Sequence, residues 1–279
     1  MITGRTALYG VLGHPVRHSR SPEMQAAAFE HHAIDAAYVA LDVAPERLAE
    51  AVTGAHALGF QGLNVTVPHK RAMVALCEAV DPVAREVGAV NTLRRTERGW
   101  EGFNTDAAAC LMLLREEGLR PGARALLAGA GGAARAAAWA LVRAGTALRI
   151  AARRPDAAER LAAELSPLAP EGAPGPVAVP WGELAAEAEV AAAVVNGTTI
   201  GLHPGDAPLP LRVRGGQLVL DFVYGETALA RAARDAGARL VSGERILVRQ
   251  GALAFALWTG RAAPEALMAA AVAAPRRAT

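Results

Sequence analysis

Short apolar runs alternate with longer segments of helical periodicity in the first quarter of the chain. The apolar runs at 7–13, 37–42 and 62–66 predict strands, and helices are predicted to begin at Pro22 and Pro45. This alternation is typical of βαβ units, so we expect a largely parallel sheet with helices on its faces.

The same pattern starts again after a helix predicted over 106–117, which Gly118 and Pro121 bring to an end. Further strands are predicted at 124–128, 147–152, 177–179, 190–196, 217–221 and 239–241. Further helices are predicted at 132–144, 156–165 and 246–260, and the Pro- and Gly-rich stretch 166–176 is expected to be a surface loop. The pattern therefore predicts an α/β protein of two domains.

Composition fits two domains whose cores are built from small side chains. The chain has 279 residues, of which 52% are hydrophobic and only 4% aromatic, so Ala, Val and Leu must fill the interior. A formal charge of +2 without long basic runs gives no electrostatic footprint for nucleic acid, although the sequence pI is 8.8. We expect small-molecule ligands and no nucleic-acid partner.

The cysteine content and the N-terminal sequence indicate in which cellular compartment the protein works. Cys77 and Cys110 are the only cysteines and lack metal-ligand spacing, so we predict no disulfide framework and no metal site. The chain shows no signal-peptide pattern and no apolar run of membrane-spanning length. These features favour a cytoplasmic protein with no membrane partner.

A glycine-rich turn between a predicted strand and a predicted helix is the first candidate site. In the pattern Gly129-x-Gly131-x-x-Ala134, the first glycine permits a tight turn, the second lets a pyrophosphate approach, and the small third residue lets helix and strand pack. Amides at the helix start would face the phosphates. A simple tight turn of an Ala-rich protein is the alternative. The predicted cofactor residues here are Gly129, Ala130, Gly131, Gly132 and Ala133.

The next strand indicates which dinucleotide binds. An NAD enzyme usually has an acidic residue at its end, whereas this chain has Ala152-Arg153-Arg154. Guanidinium groups bind a 2′-phosphate in bidentate fashion, which favours NADP. Asp156 weakens the inference, although an acid at a helix start also has an ordinary structural role.

Two polar segments precede the glycine turn. In the segment 64–70, Asn64 and Thr66 should point to one face of a strand that Pro68 ends, and Lys70 is predicted to open the next helix. Read alone, such a lysine is most often a solvated surface charge. The second segment is Gly102-Phe103-Asn104-Thr105-Asp106.

These segments, in this order, resemble the shikimate dehydrogenase family. The resemblance covers nearly the whole chain and extends to four further segments: 19–22, 88–92, 250–252 and 258–260. It implies a substrate-binding α/β domain of residues 1–105 and 245–279, a Rossmann-like doubly wound NADP-binding domain of residues 106–244, and a site in the cleft between them. The implied reaction is reversible NADPH-dependent reduction of 3-dehydroshikimate to shikimate.

The resemblance also implies roles for residues. Lys70 and Asp106 would be catalytic, with the protonation state of Lys70 left open by the sequence. The implied substrate-binding residues are Ser19, Ser21, Asn64, Thr66, Lys70, Asn91, Asp106, Tyr224 and Gln250, and the implied nicotinamide-end residues are Thr198, Phe222 and Gly243. The family often has Asn-Arg-Thr where this chain has Ala152-Arg153-Arg154, so the asparagine contact is lost.

Alternatives remain open at this point. Ser21 also looks like a helix N-cap with Pro22 at the first helical position, Asp106 suits a helix start, and Gln250 suits the exposed side of its helix. A relative that prefers quinate with NAD, or a non-catalytic dinucleotide-binding sensor, would have a similar sequence. A monomer and a homodimer are both compatible with the chain.

Overall fold

The computed structural model describes residues 2–203 and 205–275. They form two compact units, a first unit of residues 2–105 and 247–275 and a second unit of residues 106–203 and 205–246. Twelve strands are described: β1 Ala7–Gly13, β2 Ala36–Asp42, β3 Phe60–Val65, β4 Ala79–Val80, β5 Thr92–Arg95, β6 Trp100–Phe103, β7 Arg124–Ala128, β8 Ala147–Ala151, β9 Val177–Val179, β10 Ala193–Asn196, β11 Leu218–Asp221 and β12 Arg239–Val241.

Ten α-helices accompany the strands in the described ranges. They are α1 Ser21–His31, α2 Leu48–Ala57, α3 Pro82–Val87, α4 Thr105–Glu116, α5 Gly132–Arg143, α6 Pro155–Leu165, α7 Leu184–Val190, α8 Ala228–Asp235, α9 Gly243–Thr259 and α10 Glu265–Ala273. In these ranges, none of the helices is both long enough and apolar enough to cross a bilayer.

The sheet of the first unit is mixed and has the order β2-β1-β3-β5-β6-β4. Strands β2, β1 and β3 are parallel, whereas β5 runs antiparallel to both β3 and β6. Because β4 is parallel to β6, five of the six strands described in this sheet run in the same direction, and the expectation of a largely parallel sheet fails only at β5. The pattern missed β5 and β6 because each is only four residues long and contains charged residues, such as the cross-strand pair Arg94 and Glu101, so neither forms an apolar run.

Helices α1, α9 and α10 cover one face of this sheet with a core of apolar side chains. Phe29 of α1 and Phe255 of α9 are each at most 1% exposed, and their ring centroids are 5.5 Å apart. Burying one such ring contributes about 1.5–3 kcal/mol. Gly62 of β3 lies against the indole of Trp258, whose Nε1 donates to the Leu93 carbonyl at 2.9 Å, so a side chain at Gly62 would collide with the ring.

The second unit contains a fully parallel sheet of order β12-β11-β10-β7-β8-β9. Numbered within the unit, this order is 6-5-4-1-2-3, the doubly wound Rossmann arrangement, with its switch point between β7 and β10. The predicted fold class, two α/β domains of which one is Rossmann-like, is confirmed. Strand β10 begins at Ala193, because Val190 ends the unpredicted helix α7.

Candidate functional site

The end of β3 places three of the predicted residues close together along the chain. Asn64 is 5% exposed within β3, and Thr66 follows the strand directly. Residues 67–71 form a turn before the 3-10 helix Ala72–Leu76, so the prediction that Lys70 opens a helix is wrong. The Lys70 carbonyl accepts a hydrogen bond from the Val90 amide at 2.8 Å, which holds this turn beside the segment leading to Asn91.

Asn91 is the centre of a buried hydrogen-bond network in the first unit. Its Oδ1 accepts from the Thr105 amide at 2.7 Å, and its Nδ2 donates to Thr105 Oγ1 at 3.0 Å and to Gln250 Oε1 at 3.4 Å. Gln250 in turn donates from Nε2 to the Leu247 carbonyl at 2.9 Å. The side chain of Asn91 therefore joins the start of α4 to α9.

Asn64 belongs to the same network. Tyr38 donates its hydroxyl proton to Asn64 Oδ1 at 2.7 Å, while Asn64 Nδ2 donates to Thr92 Oγ1 at 3.0 Å and to the Asn91 carbonyl at 3.3 Å. Thr92 closes the chain by donating to Asn91 Oδ1 at 3.1 Å. We call this set the Asn91 network; its members are Tyr38, Asn64, Asn91, Thr92, Thr105 and Gln250.

The network brings together the predicted residues Asn64, Asn91 and Gln250. Gln250 is 7% exposed, so the alternative that it is an exposed side chain of its helix is wrong. Asp106 is 6% exposed and lies in the first turn of α4, next to Thr105. The sequence reasoning missed Tyr38, Thr92 and Thr105, although the two threonines are chain neighbours of predicted residues.

The two predicted serines lie at the start of α1. The helix begins at Ser21 itself, after Arg20, and no side chain caps it, so the prediction that Ser21 is an N-cap is wrong. Instead, Ser19 Oγ accepts from the Ser21 amide at 3.2 Å. Arg20 donates to the carbonyls of Ala271 and Val272 at 3.0 and 2.9 Å, which fixes this turn against α10.

In the second unit, the glycine turn has the geometry of a phosphate-binding loop. Gly129 has a φ of +111°, and its amide donates to the Ala151 carbonyl at 2.8 Å. Ala134 is fully buried and lies directly against Gly197. A side chain at position 197 would collide with Ala134. Gly131 precedes α5, and no side chain caps that helix. Unpaired amides of a first helical turn bind anions, and the turn fits a pyrophosphate.

The residues after β8 differ in exposure. Ala152 is 6% exposed, whereas Arg153 and Arg154 are both exposed. Asp156, the acid that weakened the inference of NADP, forms an ion pair with Arg160 within α6. The two exposed guanidinium groups thus follow the strand that borders the glycine turn, where a 2′-phosphate would lie.

The carboxyl ends of β10 and β11 are tied together by buried polar side chains. Asn196 Nδ2 donates to Asp221 Oδ1 at 2.9 Å, and Asn196 Oδ1 accepts from Thr198 Oγ1 at 2.7 Å. Burial raises the pKa of Asp221, although hydrogen bonds from Thr227, the Val223 amide and Asn196 oppose the shift. Thr198 is therefore held at the switch-point edge of the sheet.

The remaining predicted residues of this unit follow β11 or begin α9. The Phe222 amide donates to the Asn196 carbonyl at 3.1 Å. Gly243 lies so close to the Val223 carbonyl and the Tyr224 ring that a side chain there would collide with both. Tyr224 is 38% exposed as a whole residue, but desolvation of its hydroxyl raises the pKa of that group, and the carboxylates of Asp106 and Glu244 add to the shift.

A cavity of about 360 Å³ lies at the carboxyl ends of β10 and β11, bordered by Asn196, Tyr224 and Thr227. Within residues 2–203 and 205–275, no three His, Cys, Asp or Glu side chains are grouped to hold a metal ion.

One unit is doubly wound and has a glycine turn before α5, and the other is an α/β unit with buried amides and hydroxyls. This combination is typical of dinucleotide-dependent oxidoreductases that act on small polar substrates. Family models agree: residues 11–93 match the shikimate dehydrogenase substrate binding domain, and residues 243–273 match the shikimate 5'-dehydrogenase C-terminal domain. A curated relative from Anaeromyxobacter sp. (strain Fw109-5), named shikimate dehydrogenase (NADP(+)), is 88% identical over 279 residues and is covered in full, as is this chain. The chain belongs to the shikimate dehydrogenase family.

Solved structures support the same assignment. The shikimate 5-dehydrogenase of Thermus thermophilus, in complex with NADP(H) and shikimate, has a TM-score of 0.82 and 37% identity, covering 96% of this chain and 98% of its own. The quinate dehydrogenase of Corynebacterium glutamicum, in complex with NAD, has a TM-score of 0.86 and 29% identity, covering 95% and 98%. The fold is therefore shared by relatives with different substrates and cofactors.

Proposed function

We propose that this protein is an NADP-dependent shikimate dehydrogenase that reversibly reduces 3-dehydroshikimate to shikimate, a step on the route to chorismate and the aromatic amino acids. The Asn91 network is the observation that carries the proposal. It gathers the amides and hydroxyls that a polyhydroxylated ring needs, beside a turn that carries Lys70 and a helix start that carries Asp106. Relatives with the NADP(+) name support the cofactor.

The substrate's two polar ends call for different chemistry. The carboxylate would bind Ser19 and Ser21, whose hydroxyls lie at the start of α1, where the helix dipole also favours an anion. The ring hydroxyls would bind Asn64, Thr66, Asn91, Tyr224 and Gln250. Buried, mutually bonded amides have fixed orientations, which lets them select hydroxyl positions without reorganising.

Lys70 and Asp106 would handle the proton. When the C3 carbonyl of 3-dehydroshikimate gains hydride, its oxygen gains negative charge, and the Lys70 ammonium stabilises that charge and donates a proton. In the direction of oxidation, neutral Lys70 accepts the hydroxyl proton. The Asp106 carboxylate would hold the substrate hydroxyl and the Lys70 ammonium in line.

NADPH supplies the hydride when it is bound. Backbone amides of residues 130–133 would contact the pyrophosphate, while Gly129, whose own amide is bonded to the Ala151 carbonyl, would supply the tight turn beneath it. Arg153 and Arg154 would bind the 2′-phosphate, with Ala152 beneath the adenosine. Thr198, Phe222 and Gly243 would meet the nicotinamide end. The glycine turn and the uncapped start of α5 fit a pyrophosphate, because no side chain covers the backbone N–H donors there.

The test is the rise in absorbance of reduced cofactor when the purified protein meets shikimate, with NADP and NAD supplied separately. Rapid reduction of NADP alone is the expected result. Turnover of quinate with NAD, at a higher kcat/KM than shikimate with NADP, would contradict it. Tight NADP binding without turnover of either substrate would mean a sensor.

The quinate alternative rests on a particular observation. Ala152 stands where the family often has asparagine, so part of the usual 2′-phosphate site is missing, and the quinate dehydrogenase of Corynebacterium glutamicum, in complex with NAD, has a similar fold. Two arginines at 153 and 154 still favour NADP. A cytoplasmic location, a monomeric or homodimeric state and the absence of nucleic-acid or membrane partners belong to the proposal as well.

A further inference from the structure

One buried side chain near the proposed site has an unpaired polar atom. Gln25 of α1 is completely buried, and its Nε2 donates to the Gly251 carbonyl of α9 at 2.9 Å. Its Oε1 is buried without a hydrogen-bond partner among residues 2–203 and 205–275. An apolar side chain of similar size would fill this place and leave no atom unpaired.

The Gln25 contact lies where the backbone of α9 at Gly251 packs closely against side chains of α1. A side chain at Gly251 would collide with the Met24 side chain, and it would also come within 3.3 Å of Gln25 Nε2. Gly251 must therefore be glycine. Because the two helices pack so closely here, the side-chain amide of Gln25 reaches the backbone carbonyl of Gly251.

Both helices carry proposed substrate residues next to this contact. Ser21 lies four residues before Gln25, which places it one turn away on the same face of α1, and it is 5% exposed. On α9, Gly251 directly follows Gln250, which belongs to the Asn91 network. The Gln25 bridge thus connects the helix of the carboxylate end with the helix of the ring end.

We propose that Gln25 is a positioning residue for substrate binding: by bridging α1 to Gly251, it sets where Ser21 stands relative to Gln250. The inference rests on the proposed function, since it assigns Ser21 to the substrate carboxylate. A residue that acts through another has no effect once the other is removed, which makes the proposal testable by a double-mutant cycle.

The experiment measures the shikimate Kd by calorimetry and the steady-state constants of wild type, Gln25→Leu, Ser21→Ala and the double variant. We expect Gln25→Leu to raise Kd and KM for shikimate about tenfold and to leave KM for NADP unchanged. In the Ser21→Ala background, the same change should have almost no effect. Gln25→Met, an unbranched side chain, replaces the leucine if that variant fails to fold.

Phe29→Leu is the matched control, because Phe29 is a buried α1 residue that packs on α9 without a hydrogen bond to it. It should lower the thermal midpoint and leave the shikimate Kd unchanged. An unchanged Kd in the Gln25 variants, an equal effect of Gln25→Leu in both backgrounds, or an equal effect of Phe29→Leu would overturn the inference. If the wild-type protein bound shikimate without turning it over, only the proposed function would be contradicted. The double-mutant cycle of Kd values would still test the role of Gln25.

Discussion

Asn91 and Thr105 are hydrogen-bonded to each other through both backbone and side chain. The Thr105 amide donates to Asn91 Oδ1 at 2.7 Å, and Asn91 Nδ2 donates to Thr105 Oγ1 at 3.0 Å. Thr105 is the first residue of α4, and Asp106 follows it. The pair therefore fixes the start of the helix that carries the proposed catalytic carboxylate.

Replacing Thr105 by valine removes this hydroxyl while keeping the shape of the side chain. The buried Asn91 donor is left without one partner, so we expect the free energy of unfolding to fall by about 1–3 kcal/mol and kcat/KM for shikimate to fall with it. Urea unfolding and steady-state kinetics measure both. Thr53→Val, on the exposed face of α2, is the control and should change neither.

Lys70→Ala should reduce kcat by about 10²- to 10⁴-fold, because the developing alkoxide loses its proton donor, while KM for shikimate stays nearly unchanged. Steady-state kinetics in both directions provide the measurement. The adjacent exposed residue supplies the control, since Arg71→Ala should be close to wild type. A loss of shikimate affinity at unchanged kcat would remove the catalytic role from Lys70.

Asp106→Asn should lower both kcat and shikimate affinity, since the carboxylate is proposed to hold a substrate hydroxyl and to orient Lys70. Kinetics and a thermal melt separate this role from the helix-start alternative. If only the melting temperature changes, Asp106 serves α4 alone. Asp156→Asn, which alters an exposed acid in the first turn of α6 that also pairs with Arg160, gives an upper limit for the effect of losing a helix-start charge.

Changing Arg153 and Arg154 together to alanine should raise KM for NADP at least about tenfold and leave KM for NAD little changed, because only NADP carries the 2′-phosphate. Cofactor titrations at saturating shikimate test this. Arg212→Ala removes an exposed guanidinium elsewhere in the same unit and controls for net charge. Equal losses with both cofactors would argue against a 2′-phosphate site.

Cys77 should react slowly with alkylating reagents. Burial raises the pKa of its thiol to about 11, so only about one molecule in a thousand carries the reactive thiolate at about pH 8. We expect iodoacetamide labelling of a Cys110→Ala variant to be slow there and to accelerate as the pH rises toward that pKa. Labelling in urea should be rapid, and rapid labelling of the native protein would contradict a raised thiol pKa.

The second unit could be predicted from the sequence in unusual detail. Strands β7, β9 and β12 have the predicted bounds, because each is a short, mainly apolar run, whether it is central and mostly buried, as β7 is, or partly exposed at a sheet edge, as β9 and β12 are. The same reasoning placed the start of β10 too early, at residue 190. Alanines fill the stretch before Asn196, and alanine is compatible with the end of α7 as well as with the start of β10. Such ambiguity is resolved by packing and not by local preference.

The candidate site was less accessible to sequence reasoning. The amides of Asn64, Asn91 and Gln250 could be identified through the family's motifs, but Tyr38 lies in a strand that looked wholly structural. Its partner Asn64 is 26 residues away, and no local pattern indicates such a pairing. Gln25 could not be predicted for the same reason, because its hydrogen-bond partner Gly251 lies 226 residues further along the chain.

The path of the chain has a consequence for synthesis on the ribosome. The core beneath Tyr9, Met24 and Phe29 is completed by Phe255 and Met268, which are translated more than 200 residues later. The second unit is one continuous stretch and has all its strands once residue 246 is made, so it is the part that can fold first during translation. Until α9 and α10 emerge, α1 alone covers this face of the first sheet, and the apolar side chains that those two helices later bury stay exposed on the nascent chain.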